Sequence, residues 1–129
     1  MSNYLFTIIK LCSIALLIGL TSPVLASEYN EGFIAAESGN YQSAVSKWGP
    51  LASAGHAAAQ FNIALMYHGG LGVSLNEAEA VKWYKKSANN GFSAAQEFLS
   101  AAYEEGWFGL PRDKNLARFW EEKANLDNY

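Results

Sequence analysis

The sequence predicts an all-α fold, an α-solenoid of about three helix hairpins. Three observations predict it. Apolar residues recur at helical spacing beyond residue 27, and no segment shows the strict apolar–polar alternation of a half-buried strand. Glycine-containing turns interrupt these stretches. Residues also return at a fixed offset: Ala44, Val45, Ala52, Gly55, Ala58, Ala59 and Gln60 recur 36 positions later as Ala80, Val81, Ala88, Gly91, Ala94, Ala95 and Gln96. A period in this range marks stacked helix pairs.

The 129 residues make one small domain, half hydrophobic and 16% charged. Residues 1–26 resemble a secretory signal peptide. Lys10 is their one charge, Leu11 to Leu20 form an apolar run too short to span a bilayer, and Pro23 is expected to break the helix. Val24-Leu25-Ala26 suits cleavage after Ala26. The competing reading is an uncleaved membrane anchor. Lipidation of Cys12 is disfavoured because Lys10 stands two positions before it. Removal of 1–26 leaves residues 27–129 with no cysteine, twelve acids and eight Lys or Arg, a net charge of about −4. That balance argues against a general nucleic-acid surface, and a cysteine-free exported chain points to a bacterial periplasmic or secreted protein.

The elements follow in order. Glu28 to Ser38 reads as a short helix, closed by Gly39 and followed by Asn40 as a cap. Tyr41 to Ala54 is the second, with Pro50 expected to kink it or cost it a backbone bond. Ala57 to His68 is the third, and Gly69-Gly70-Leu71-Gly72 the turn after it. Asn76 caps the fourth, with Glu79 completing a capping box; it runs to about Asn90 and Gly91 closes it. Ser93 is expected to cap the fifth, which extends to about Glu105, and Asp113 the sixth. The expected hairpin units are 28–55, 57–91 and 93–127. Tyr67 and Gly70 return as Tyr103 and Gly106. Beyond a one-residue insertion at Phe108, Gly72, Ala80, Trp83 and Lys86 return at an offset of 37 as Gly109, Ala117, Trp120 and Lys123.

Ala59, Gln60, Ile63, Ala64, Tyr67, Gly70, Gly72 and Val73, followed by Asn76, Ala80, Trp83, Tyr84, Ser87, Ala88 and Gly91, resemble the Sel-one-like repeat (SLR) of the tetratricopeptide-like superfamily. Ala64 stands where the family usually has glycine, and Ser87 where it usually has alanine. The resemblance implies a right-handed superhelix whose concave surface, lined by the first helix of each pair, binds a protein or peptide without catalysis. Candidate partner-binding residues beside the packed stripe are Asn62 and Met66, Phe98 and Ala102, and Phe33 and Glu37. Asn62 is the foremost, since an amide can hold a peptide backbone through one acceptor and two donors. For Met66 and Phe98 core filling competes. Trp107, with Phe108 in the Gly106–Pro111 turn, is either a binding anchor or a cap over the last hairpin.

Other functions find less support. Some exported, cysteine-rich SLR proteins are β-lactam-interacting or weakly hydrolytic, but the paired cysteines, Ser-x-x-Lys and Lys-Thr-Gly are missing here. His56 and His68 lack further ligands at metal spacing. A peptidoglycan or glycan binder remains an alternative through the aromatics, although Trp83 and Trp120 recur as packing residues. No catalytic residue, cofactor or metal is expected.

Overall fold

A computed structural model describes residues 23–126. They form six helices: α1 (Pro23–Glu37), α2 (Tyr41–Ser53), α3 (Ala57–Gly69), α4 (Glu77–Asn89), α5 (Ser93–Glu105) and α6 (Lys114–Leu126). No strand occurs among the described residues. The main helix–helix packing joins chain neighbours, α1 on α2 through to α5 on α6, which is the quasi-one-dimensional plan of a solenoid. Residues 1–22, most of the expected export segment, lie outside the described residues.

Pro23 opens α1, where a proline is tolerated because its missing N–H has no partner in the first turn; the apolar run it is expected to interrupt lies outside the described residues. Ala26, the residue before the expected cut, lies in the first turn of α1. Helix α2 continues through Pro50 to Ser53, and of the two expected outcomes the proline costs a bond. The bond removed is that to the carbonyl of Ser46, and Ser46 is exposed to water. Two local expectations need correction. Ser93 does not cap α5. Phe92 occupies that position and makes no side-chain cap bond. The capping box on α4 is half made: Asn76 Oδ1 accepts from Glu79 N at 3.0 Å. Its return arm is absent because Asn76 N donates to Tyr67 O at 2.9 Å, while the Glu79 carboxylate takes Lys82. Asp113 does cap α6, its Oδ1 accepting from the N–H groups of Asn115 and Leu116 at 3.0 Å.

The repeated residues build the stack. Ala44, Trp48, Leu51, Ala52, Ala59, Ile63 and Met66 form one buried cluster between α2 and α3. Ala64, Ala80, Tyr84, Ala88, Ala95, Leu99, Tyr103, Ala117 and Trp120 form the second. Tyr67 and Trp83 touch both clusters and join them. Small residues admit the large rings of the facing helix, and burying each ring removes on the order of 150–250 Å² from water. The buried amides repeat as well. Gln60 Nε2 donates to Ala52 O at 3.0 Å, and Gln96 Nε2 to Ala88 O at 3.1 Å, each tying the start of a first helix to the end of the helix before it.

The loops repeat the same scheme. Asn76 N reaches Tyr67 O and Asp113 N reaches Tyr103 O, both at 2.9 Å. In the first hairpin Asn40 N reaches Ala35 O at 2.9 Å. This sets Ala35 in the place of Tyr67 and shows that the first turn is shorter by four residues. Glycine is required at Gly72, where φ is 69° and a Cβ would lie 2.6 Å from the backbone carbonyl carbon and oxygen of Tyr41. The turn thereby seats on the start of α2.

Candidate functional site

The first helices α1, α3 and α5 stand side by side. Tyr29 of α1 stacks on His56, the residue before α3, with centroids 5.0 Å apart. One unit later Phe61 of α3 packs on Phe92, the residue before α5, at 5.2 Å. His56 also caps α3, its Nδ1 accepting from Ala59 N at 3.1 Å. Asn62 Nδ2 donates to Tyr29 Oη at 3.1 Å and so sets the register of α3 against α1. One turn further along each helix come Phe33 and Leu65, four residues after Tyr29 and three after Asn62. Phe33 is 50% exposed and Leu65 38%. Two large apolar side chains thus lie on adjacent helices at positions the stack does not use.

At the far end of α3 an aromatic cluster closes the surface. His68 Nδ1 lies 3.0 Å from Tyr84 Oη. Phe98 stacks on Tyr84 with centroids 3.8 Å apart, and Phe108 lies against His68 at 4.6 Å and Phe98 at 5.5 Å. Burial pushes the Tyr84 phenol up to about 12. Phe108 adopts φ 56°, a left-handed backbone that a bulky residue seldom takes. It turns the ring back onto the hairpin. Trp107, next in the chain, is 46% exposed. The turn is divided: Phe108 is the cap and Trp107 the exposed member.

The candidate residues therefore separate. Asn62 is half-buried and has spent one N–H on Tyr29. Phe98 is half-buried within the aromatic cluster. Phe33, Glu37 and Trp107 are exposed. Met66 and Ala102 are not available to a partner, being 6% and 0% exposed. Both have core duties, Met66 O accepting from the N–H groups of Gly70 and Leu71, and Ala102 O from those of Gly106 and Trp107. The physical reason is a rotation of 100° per residue. Beyond Asn62, the residue three along faces outward and the residue four along turns into the stripe. Leu65 is the residue that sequence reasoning missed. Its equivalence to Phe33 becomes visible only when the first turn is shortened by four residues.

Neither histidine assembles a metal site, since one caps α3 and the other holds Tyr84. Among the described residues no group of three or more His, Cys, Asp or Glu is placed to hold a metal ion.

Stacked hairpins in a shared register define a helical-repeat protein of the α-solenoid class. The Sel1 repeat family matches at residues 57–92 and 93–128, and the chain belongs to that family. It is 39% identical over 71 residues to a putative sel1-like repeat-containing protein of Acanthamoeba polyphaga mimivirus, covering 55% of this chain and 13% of that protein. Its fold is similar to that of a protective antigen present in uropathogenic Escherichia coli strains, which displays an SLR fold (TM-score 0.71, 34% identity, 81% of this chain and 23% of that one). It is also similar to a Sel1 repeat protein from Oxalobacter formigenes (TM-score 0.63, 30% identity, 69% and 25%). The chain spans a quarter or less of the length of each of these proteins. Sel1-repeat proteins are generally non-catalytic protein-interaction modules.

Proposed function

We propose that this chain is a protein-docking module of the bacterial envelope, taking a protein or peptide on the outward flank of α1, α3 and α5. One observation carries the reading: Phe33 and Leu65 are both exposed, one turn beyond the Tyr29–Asn62 bond that joins α1 to α3, at positions outside the two buried clusters. Trp107, just past the end of α5, is a further exposed aromatic side chain. Aromatic and large apolar side chains of this kind are the usual anchors of an interface. The envelope location rests on residues 1–26 and their resemblance to a signal peptide.

Photo-crosslinking in living cells tests the docking face. A crosslinking amino acid at position 33 or 65 is expected to give discrete adducts, and one at position 82, on a second helix, none. Adducts at 82 alone would overturn the assignment. For the location, the protein recovered from the periplasm is expected to begin at Ser27; full-length protein confined to the cytoplasm would contradict it.

A further inference from the structure

The hairpin α5–α6 carries an open seat that, one unit earlier, holds a helix. On α3–α4 the occupant is α5. Phe98 of α5 stacks on Tyr84 at 3.8 Å and meets His68 at 6.1 Å, and Phe92, just before α5, packs on Phe61 at 5.2 Å. Helix α5 thus starts beside Phe61 and runs toward His68, parallel to α3. On α5–α6 the floor of the seat stays small. Ser100 and Ala117 stand where Ala64 and Ala80 do, and Ala101 stands where the first copy has the larger Leu65. The result is a groove of about 630 Å³. Solubility asks for charge on this face but not for a hollow floor.

The walls carry the change. Glu97, Glu104 and Glu121 take the places of Phe61, His68 and Tyr84, and Arg118 and Lys114 those of Val81 and Glu77. All five side chains are exposed, and none is ion-paired among the described residues. They are ordered along the groove. Asp113 N bonds Tyr103 O at 2.9 Å, which sets Lys114 beside Glu104 at the turn. Glu97 lies two helical turns before Glu104, and Glu121 two turns after Lys114, so both stand about 10 Å away at the other end. Phe61 and Tyr84, whose places they take, have ring centroids 5.5 Å apart. One end of the groove therefore holds two facing carboxylates and no cation. At the turn end Lys114 and Arg118 outweigh Glu104.

We infer that this groove seats one amphipathic helix of a partner protein, parallel to α5, with small apolar residues on the floor, lysine or arginine in its first turns and glutamate or aspartate in its last. Helix-in-groove docking is a common mode of recognition. A helix in this direction sets the positive end of its dipole beside Glu97 and Glu121 and the negative end beside Lys114 and Arg118. The reverse direction sets each end against like charge, so the walls choose orientation as well as partner. A wholly apolar helix leaves the walls desolvated without partners. A second copy of this chain fits badly. Its Glu31 stands in α1 where Leu99 stands in α5, and Leu99 shares a buried cluster with Tyr84, so Glu31 would face Glu121. The groove shares no residue with the Phe33 and Leu65 flank, and the inference stands apart from that docking reading.

The test uses two hydrocarbon-stapled peptides of one composition, each with an alanine and leucine stripe, and circular dichroism verifies that both are equally helical. One has lysines in its first two turns and glutamates in its last two; the other has the reverse order. Binding to the purified protein is followed by fluorescence anisotropy. The lysine-first peptide is expected to bind about tenfold more tightly at roughly 50 mM salt, the gap narrowing at roughly 500 mM. Glu97→Lys with Glu121→Lys is expected to erase the preference while the protein keeps its circular dichroism spectrum, since both positions are exposed. Leu65→Ala is expected to change neither affinity. Equal binding of the two peptides, a preference for the reversed one, or a preference that survives the double substitution overturns the inference, as does binding of neither. Self-association of the parent that the double substitution abolishes would put a second copy in the groove instead. Each of these outcomes leaves the crosslinking result at positions 33 and 65 as it is.

Discussion

The hairpins α3–α4 and α5–α6 are two copies of one design that differ most on one face. In the first copy the face toward α5 carries Phe61, Val81 and Tyr84, and Phe98 of α5 with Phe92 just before it cover the rings. In the second copy the matched positions are Glu97, Arg118 and Glu121. With Glu104 and Lys114 they line an open groove of about 630 Å³. Many residues turned toward the preceding hairpin are kept, Gln60 with Gln96, Ile63 with Leu99, Tyr67 with Tyr103 and Trp83 with Trp120. Stacking is thus written position by position. Apolar residues stand where another hairpin lies against the face, and charge stands where none of the described helices does, as a repeat protein needs for solubility.

Substitutions at paired positions sharpen this contrast. The largest difference is expected at Tyr84 and its counterpart Glu121. Tyr84 is 1% exposed beneath Phe98 and His68, so Tyr84→Ala is expected to cost roughly 3–5 kcal/mol in chemical denaturation. Glu121→Ala lies on the open face and is expected to change stability by no more than about 0.5 kcal/mol. Comparable losses at the two sites would break the distinction between a covered and an uncovered face.

A smaller difference separates Gly72 from Gly109. Both have positive φ, 69° and 73°, but a Cβ on Gly72 strikes the Tyr41 backbone while one on Gly109 meets nothing within 4 Å. Gly109→Ala is expected to cost ~1–2 kcal/mol from its left-handed backbone alone. Gly72→Ala should cost at least ~1 kcal/mol beyond that through the forced shift of the turn. Denaturant midpoints compare the two directly, and equal shifts would remove the close approach from the account.

Another effect is in pH. Burial raises the Tyr84 phenol from 10.0 to about 12. The unfolded chain therefore loses this proton first as pH rises. Stability from Tyr84 is full below pH 10 and declines between pH 10 and 12, by about 1.4 kcal/mol per unit. Tyr84→Phe is expected to make alkaline unfolding shallower across that window, measured against the parent by circular dichroism. An unchanged slope would place the phenol in water.

Much of the stack was legible from repetition. Gln60 and Gln96, the alanines and Trp83 with Trp120 recur because each unit solves the same packing problem. Four features were hidden. Met66 and Leu65 are both large and apolar, and composition does not say which of two adjacent helical residues turns inward. Ala102 is small enough for either place, and only the path of the Gly106 turn commits its carbonyl. Trp48 packs over Gly32, where a Cβ would fall 2.4 Å from the indole nitrogen, and donates to Tyr29 O at 3.0 Å. Lone Gly32 recurs at no fixed offset, so nothing in the spacing announced that approach. The aromatic pair at 107 and 108 was divided by a backbone angle that sequence does not reveal.

The central claim is a division of labour: repeated residues and the face they cover hold the stack, and the outward flank of the first helices is left for a partner. Its stacking half is tested most directly by exchanging faces. Glu97→Phe, Arg118→Val and Glu121→Tyr together place the covered residues of α3–α4 on the open groove of α5–α6. Sedimentation velocity is expected to show the parent unchanged in size across protein concentration and the triple variant, still helical, self-associating through the new apolar face. A triple variant that sediments like the parent at every concentration would contradict the claim that these positions decide what stacks.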